Sequence, residues 1–228
     1  MSKFLFITGT GTNVGKTYIA ALIVKKLVDA GINVGYFKPA MSDNKQDSKG
    51  NILPGDSLFI KNFAKTNQPV EEMCPYLFTE PYSPHLAAQL NKQSISIPKI
   101  HFSLRKLCQK YEYIVIEGAG GVLCPLTYDN GDIYTITNFI GHYNFPCLIV
   151  ADAGLGTINH LCLTIDYLQT LNINVQGYVL NNYQKNNLLH TDNLKMCQSM
   201  TNLEAVACIK QNENHFPLAV NELLNYFS

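Results

Sequence analysis

Gly9-Thr10-Gly11-Thr12-Asn13-Val14-Gly15-Lys16-Thr17 is the stretch that decides how this chain is read. The apolar run Phe4-Leu5-Phe6-Ile7 precedes it and reads as a buried strand, and Ile19 to Leu27 follows and reads as a helix. A glycine-rich turn ending in Gly-Lys-Thr between strand and helix is the setting in which such a turn cradles phosphate. Its glycines let backbone N–H groups face inward, and the helix N-terminus adds unpaired donors and a favourable dipole. Lys16 supplies a mobile cation for the outer phosphates, and the Thr17 hydroxyl an oxygen for Mg²⁺. The commonest spacing leaves four residues between the first glycine and Gly-Lys; here five, Thr10 to Val14, separate Gly9 from Gly15. The plainer alternative is a strand–helix turn that needs glycine only for its backbone.

Further strands are expected at Asn33–Phe37, Tyr113–Glu117, Pro146–Ala151, Val175–Leu180 and Ala205–Ile209. Their near-continuous apolar runs suit strands covered on both faces, as in a parallel sheet. Helices are expected at 56–65, 84–91, 99–110, 132–142, 157–171, 189–200 and 216–226. Alternating strands and helices predict an α/β fold of the P-loop NTPase-like kind: a doubly wound, mostly parallel sheet with helices on both faces. Residues 1–228 read as a single domain. Residues 39–55 are the least regular part, and read as either a disordered insert or a mobile substrate loop over the phosphate site.

Composition narrows the ligand. Lys plus Arg and Asp plus Glu both number 17, so the formal net charge is zero, and no basic block exceeds Lys25-Lys26. That argues against a nucleic-acid binder, whose affinity rests on clustered cations, and favours a small anion in a local pocket. The seven cysteines include no C-x-x-C pair, which argues against a zinc site or disulfide framework. No apolar run approaches the roughly 20 residues of a membrane span. The expectation is a cytoplasmic protein with reduced thiols and no membrane partner.

Three more segments end strands on the ligand side of such a sheet. Lys38, in Lys38-Pro39-Ala40-Met41-Ser42, points either toward phosphates or into solvent. Glu117, before Gly118-Ala119-Gly120-Gly121, reads as a carboxylate for Mg²⁺, which prefers oxygen ligands, or as a capping acid. Asp152 to Asn159 reads as a second anion site on helix N–H groups or as an ordinary turn capped by Thr157. Asp56 is an N-cap or a second Mg²⁺ carboxylate.

Taken together, the segments resemble the dethiobiotin synthetases. The resemblance rests on Gly9–Thr17, Tyr36-x-Lys38-Pro39-x-x-Ser42, Gly55-Asp56-Ser57-Leu58, Glu80-Pro81-Tyr82-Ser83-Pro84-His85, Glu117–Gly121, Gly156–His160 and Gly177-Tyr178-Val179-x-Asn181, in family order. It implies ATP-dependent closure of a cyclic urea from 7,8-diaminononanoate and CO₂ in biotin biosynthesis, with ATP as co-substrate and Mg²⁺ as cofactor. One amine becomes a carbamate, the carbamate attacks the γ-phosphate, and the second amine closes the ring and expels phosphate. The resemblance assigns Lys16 and Lys38 to the γ-phosphate and carbamate oxygens, with Thr12 and Ser42 donating to the carbamate or amines. It assigns Asn13, Val14, Gly15, Lys16, Thr17, Tyr18, Glu117, Gly118, Gly120, Gly121 and Asn181 to the nucleotide, Asn181 meeting adenine. It assigns Thr17, Asp56 and Glu117 to the metal. Gly154, Leu155, Gly156, Thr157 and Asn159 would hold the substrate's distant carboxylate across a homodimer interface, in a turn expected far along the sheet from the phosphate loop.

Some positions depart from the family pattern. Asn13 stands where an acidic residue is common, and the family's base-holding turn is not visible near Ala207–Lys210. Three other classes compete; one of them, the amidating synthetases of cobalamin biosynthesis, needs a glutamine amidotransferase domain for which 228 residues are expected to leave no room. Partitioning-type regulatory ATPases share the fold but carry a signature lysine four residues before the second glycine, where this chain has Gly11. A non-catalytic nucleotide-binding module would show no ATP-dependent product.

Overall fold

Phe6 and its neighbours Leu5 and Ile7 are wholly buried and point to opposite sides of one sheet. The computed structural model describes residues 2–228. Its first strand, β1 (Lys3–Gly9), runs into the glycine turn, and α1 (Lys16–Asp29) leaves it. The chain continues through β2 (Val34–Phe37), β3 (Lys45–Gln46), β4 (Ile52–Leu53), α2 (Gly55–Ala64), α3 (Pro84–Leu90), α4 (Ile97–Cys108) and β5 (Tyr113–Glu117). Then come β6 (Pro125–Asp129), β7 (Asp132–Thr135), α5 (Ile136–Tyr143), β8 (Cys147–Asp152) and α6 (Thr157–Thr170). The last elements are β9 (Val175–Asn181), α7 (Leu188–Thr201), β10 (Ala205–Ile209) and α8 (Val220–Leu224).

Six strands form a parallel sheet in the order β10-β9-β8-β1-β5-β2. Two-residue alternation splits the core. Leu5, Ile7, Tyr36, Val115, Leu148 and Val150 meet α1, α2 and the C-terminal segment. Phe6, Phe37, Ile114, Ile116 and Ile149 meet α3 through α7. On that second face Phe6 packs on the rings of Phe139 and Phe145, each such burial contributing about 1.5–3 kcal/mol. The expected doubly wound sheet with helices on both faces is the fold observed.

Four expectations change. Residues 132–135 are a strand rather than the start of a helix. Asn130 and Gly131, at φ of +51° and +95°, make the tight turn of the β6–β7 hairpin; two left-handed residues are what an Asn-Gly hairpin turn requires. The helix then starts behind Thr135, whose hydroxyl accepts from the Asn138 N–H while the Asn138 side chain accepts from the Thr135 N–H. Second, residues 39–55 are not without structure. They carry the β3–β4 hairpin, tied by Asp47, whose carboxylate accepts from the N–H groups of Lys49 and Asn51 and from the Asn51 amide. Third, the turn at 154–157 follows β8, the immediate neighbour of β1, so it lies one strand from the phosphate loop and not far along the sheet. Fourth, the expected helix at 216–226 shrinks to α8, because the chain bends at Pro217 and Leu218, Ala219 caps the helix in extended form, and the chain end pairs back on β1 through Phe4 and Ser228.

Candidate active site

β1 is flanked by β5 and β8, so the loop at its C-terminal end opens into the crevice where doubly wound sheets take their ligands. Gly15 is the N-cap of α1 at φ +97°, a left-handed conformation costly for any residue with a Cβ. Space forbids one too: a Cβ there would stand 2.1 Å from the Asn181 amide nitrogen. Asn13 adopts φ +63°, which Asn tolerates better than most residues. Lys16 folds back and donates to the Gly11 carbonyl at 2.7 Å. Asn181, the last residue of β9, donates to the Val14 carbonyl at 3.1 Å, while its Oδ1 is buried without a partner.

Beside the loop lies a compact charged network. The Glu117 carboxylate is fully buried at the end of β5. Its Oε1 accepts from the Thr17 hydroxyl at 2.8 Å and from the Lys38 ammonium at 2.7 Å. Its Oε2 accepts from the Tyr36 hydroxyl at 2.7 Å. Lys38 also donates to Asp56 Oδ2 at 2.6 Å. Asp56 stands in the first turn of α2, whose N-cap position is Pro54 and has no side-chain cap; its carboxylate is spent on Lys38 instead. Thr17, Asp56 and Glu117 thus present only hard oxygens around one spot, a donor set that suits Mg²⁺. Two carboxylates drawn together need a shared cation, and here an ammonium supplies it. The residues fit the metal.

The charges follow from this packing. Burial works against the Lys38 ammonium, but Glu117 and Asp56 outweigh it and hold the group above the usual lysine range. Lys38 therefore serves as a permanent cation. Lys16 has no such pair: burial, only partly offset by Glu117, lowers it to about 8. Burial and the Glu117 charge push the Tyr36 phenol well above its ordinary value, so it remains a proton donor to the carboxylate.

A cleft of about 790 Å³ brings Thr12, Asn13, Gly15, Lys16, Thr17, Tyr18, Lys38, Ser42, Asp56, Glu117 and Gly120 together. The Ser42 hydroxyl is buried there with no partner, a donor left for a ligand. Val14, Gly118, Gly121 and Asn181 are not among the cleft's lining residues, and the Gly118 N–H is already given to the Ile7 carbonyl. The turn Gly154-Leu155-Gly156-Thr157 and Asn159 do not line the cleft either. There Gly156, at φ +89°, holds the cap position expected for Thr157, whose hydroxyl is buried and unpaired. The Gly154 N–H is taken by Asp152 at 2.8 Å.

Nine lining residues received no role from sequence: Ala40, Asp43, Phe59, Pro81, Tyr82, Ser83, Pro84, Ala119 and Cys124. For Pro81 to Pro84 the signal was the Glu80–His85 motif, which leads into α3 without any assigned chemistry. The segment after β10 also matters more than its letters indicate. The Tyr18 hydroxyl, in the first turn of α1, donates to the Glu213 carbonyl, so the segment after β10 is tied to the start of α1 through a backbone group.

Comparison with known proteins bears on these assignments. A protein-family model described as an AAA domain matches residues 3–216. An ATP-dependent dethiobiotin synthetase of Clostridium botulinum is 40% identical, with 100% of this chain and 99% of the relative covered. A Brachyspira hyodysenteriae protein of the same name is 39% identical over 92% of each chain, and one of Clostridium perfringens is 35% identical over 98% of this chain and 97% of its own. Among solved structures, a plasmid partition protein of Borrelia burgdorferi gives a TM-score of 0.55 at 17% identity, covering 99% of this chain and 96% of that one. The MinC:MinD cell division complex of Aquifex aeolicus gives 0.54 at 15%, covering 99% and 86%. At that identity the solved structures speak for the fold alone.

Proposed function

Since this chain belongs to the dethiobiotin synthetase family, we propose that its cleft closes the ureido ring of dethiobiotin from 7,8-diaminononanoate, CO₂ and ATP. The chain is an ATP-dependent ligase of biotin biosynthesis. The observation that carries the residue assignment is the meeting of Lys38, Thr17, Asp56 and Glu117 beside the phosphate-loop lysine. The carbamate is an anion attacking a polyanion, so the protein's task is positioning and charge neutralisation. Lys16 leaves the Gly11 carbonyl for the β- and γ-phosphates, whose charge favours its ammonium form. Lys38 bridges carbamate and γ-phosphate oxygens, and Thr12 and Ser42 orient the carbamate and the attacking amine. Thr17, Asp56 and Glu117 would hold Mg²⁺, which would supply further positive charge to the phosphates. Asn181 offers its free Oδ1 to the adenine amino group. With label in bicarbonate, dethiobiotin should carry it and one ADP should form per ring; folded protein that forms no labelled ring at saturating substrates ends this reading.

The substrate's carboxylate lies several carbons from its amines and needs a second anion site. The turn 154–157, with Asn159, is assigned to it in a homodimer, acting on the partner chain's cleft. Exposed apolar residues support a partner there: Leu155 is 90% exposed, and Leu163 on α6 and Met200 on α7, helices packed on each other, are 61% and 58% exposed. Isolated exposed apolar residues are ordinary, whereas contiguous ones mark an interaction face; these three lie on a connected pair of helices and the turn that leads into it. The chain should sediment as a dimer at micromolar concentration, and Leu163→Glu with Met200→Glu should give inactive monomer. A dimer indifferent to both changes would move the interface elsewhere. We place this single-domain enzyme in the cytoplasm; no described helix is long and apolar enough to cross a membrane.

A further inference from the structure

Tyr36 and Lys38 are two residues apart on β2, so their side chains share one face of the sheet. Tyr36 pairs in register with Val115 of β5, and Glu117 is the next β5 residue on that face. The carboxylate is therefore met by a different donor at each oxygen: Lys38 and Thr17 at Oε1, Tyr36 at Oε2. We propose that Tyr36 is a positioning residue for the metal carboxylate, its hydroxyl fixing Oε2 so that Oε1 faces Thr17 and Lys38, with Gln68 holding Tyr36 in place. The proposal rests on the reading of Glu117 as a metal ligand.

The hold on Tyr36 is itself unusual. β2 is the edge of the sheet, and the outward N–H and carbonyl of Tyr36 have no strand to bond. The Gln68 side chain substitutes for one: its Oε1 accepts from the Tyr36 N–H at 2.7 Å, and its Nε2 donates to the Tyr36 carbonyl at 2.9 Å. Gln68 is buried with only 2% of its surface exposed. Backbone and phenol are thus fixed from opposite ends. With no hydroxyl, Oε2 would be left buried and unpaired, and the carboxylate could rotate to spend Oε1 elsewhere. Groups that orient metal ligands in this way typically change metal affinity 10–100-fold when removed.

The test is Mn²⁺ binding to the ADP complex of the full chain, followed by electron paramagnetic resonance, with Mn²⁺ as a spectroscopic probe for the Mg²⁺ position. Tyr36→Phe should weaken Mn²⁺ binding by about tenfold or more, while ADP binding in EDTA stays within twofold (~2) of native. Adding Tyr36→Phe to Glu117→Gln should then cost nothing further, because the hydroxyl acts through the carboxylate; a merely structural tyrosine would add its full penalty. Gln68→Ala, which leaves the phenol in place, should weaken Mn²⁺ in the same direction by less. Native Mn²⁺ affinity in folded Tyr36→Phe, or additive losses in the double variant, overturns the proposal. Native affinity in Glu117→Gln instead overturns the metal reading beneath it.

Discussion

Replacing Lys38 by alanine should lower kcat by about 10²-fold or more, the usual cost of deleting one electrostatic stabiliser. The loss should fall on turnover and leave ADP binding much less affected, because Lys38 is placed against Glu117 and Asp56 rather than in the phosphate loop. Lys16→Ala should do the reverse first and weaken the nucleotide. A second readout belongs to Lys38 alone. Without its ammonium, buried Glu117 faces Asp56 unneutralised, and breaking such a pair typically costs about 3–5 kcal/mol; partial exposure of Asp56 discounts this toward the lower figure. Mg²⁺ with ADP should restore part of that, so the Tm deficit of the variant should narrow when both are added. Turnover within a few-fold of native, or a Tm deficit blind to Mg²⁺, would show Lys38 to be an ordinary strand-end lysine.

Gly15→Ala should abolish most nucleotide affinity while the sheet stays folded. Two costs add. The residue keeps a left-handed backbone at φ +97°, worth roughly 1–2 kcal/mol against a Cβ. The new methyl group also meets the Asn181 amide at 2.1 Å, so Asn181 must swing away and give up its bond to Val14, about 1 kcal/mol more. A loss on the order of 10²-fold in ADP affinity follows. Calorimetric titration decides it: an affinity within threefold (~3) of native would mean that the loop shifts freely around the methyl.

Much of this was legible in the chain, and for identifiable reasons. Gly9–Thr17 between a strand and a helix sets the sheet, because a phosphate loop has meaning only in that context. Lys38, Asp56 and Glu117 each had a plainer reading taken singly. Only the fold shows that β2, α2 and β5 deliver them to one another within hydrogen-bond distance. Tyr36 could not have been found by spacing, since its partner Glu117 stands on another strand and periodicity within a segment is silent about neighbours. The Asn130-Gly131 pair is a hairpin signal that the sequence itself carries, and the helix expected across 132–142 begins only after the strand that this turn creates. The contact between Tyr18 and Glu213 stayed hidden because it uses a backbone carbonyl, which any residue supplies.

The stretch that follows α2 has a bearing on solubility. A sheet's outermost strand is a standing invitation to a foreign strand, and proteins that leave it bare risk edge-to-edge aggregation. Here the Gln68 amide occupies both outward groups of Tyr36, and the Met73 carbonyl takes the next outward N–H, at Lys38, at 2.8 Å. The same few bonds that steady Tyr36 and Lys38 therefore occupy that border against an intruding chain, and a lesion in residues 66–73 would threaten both at once.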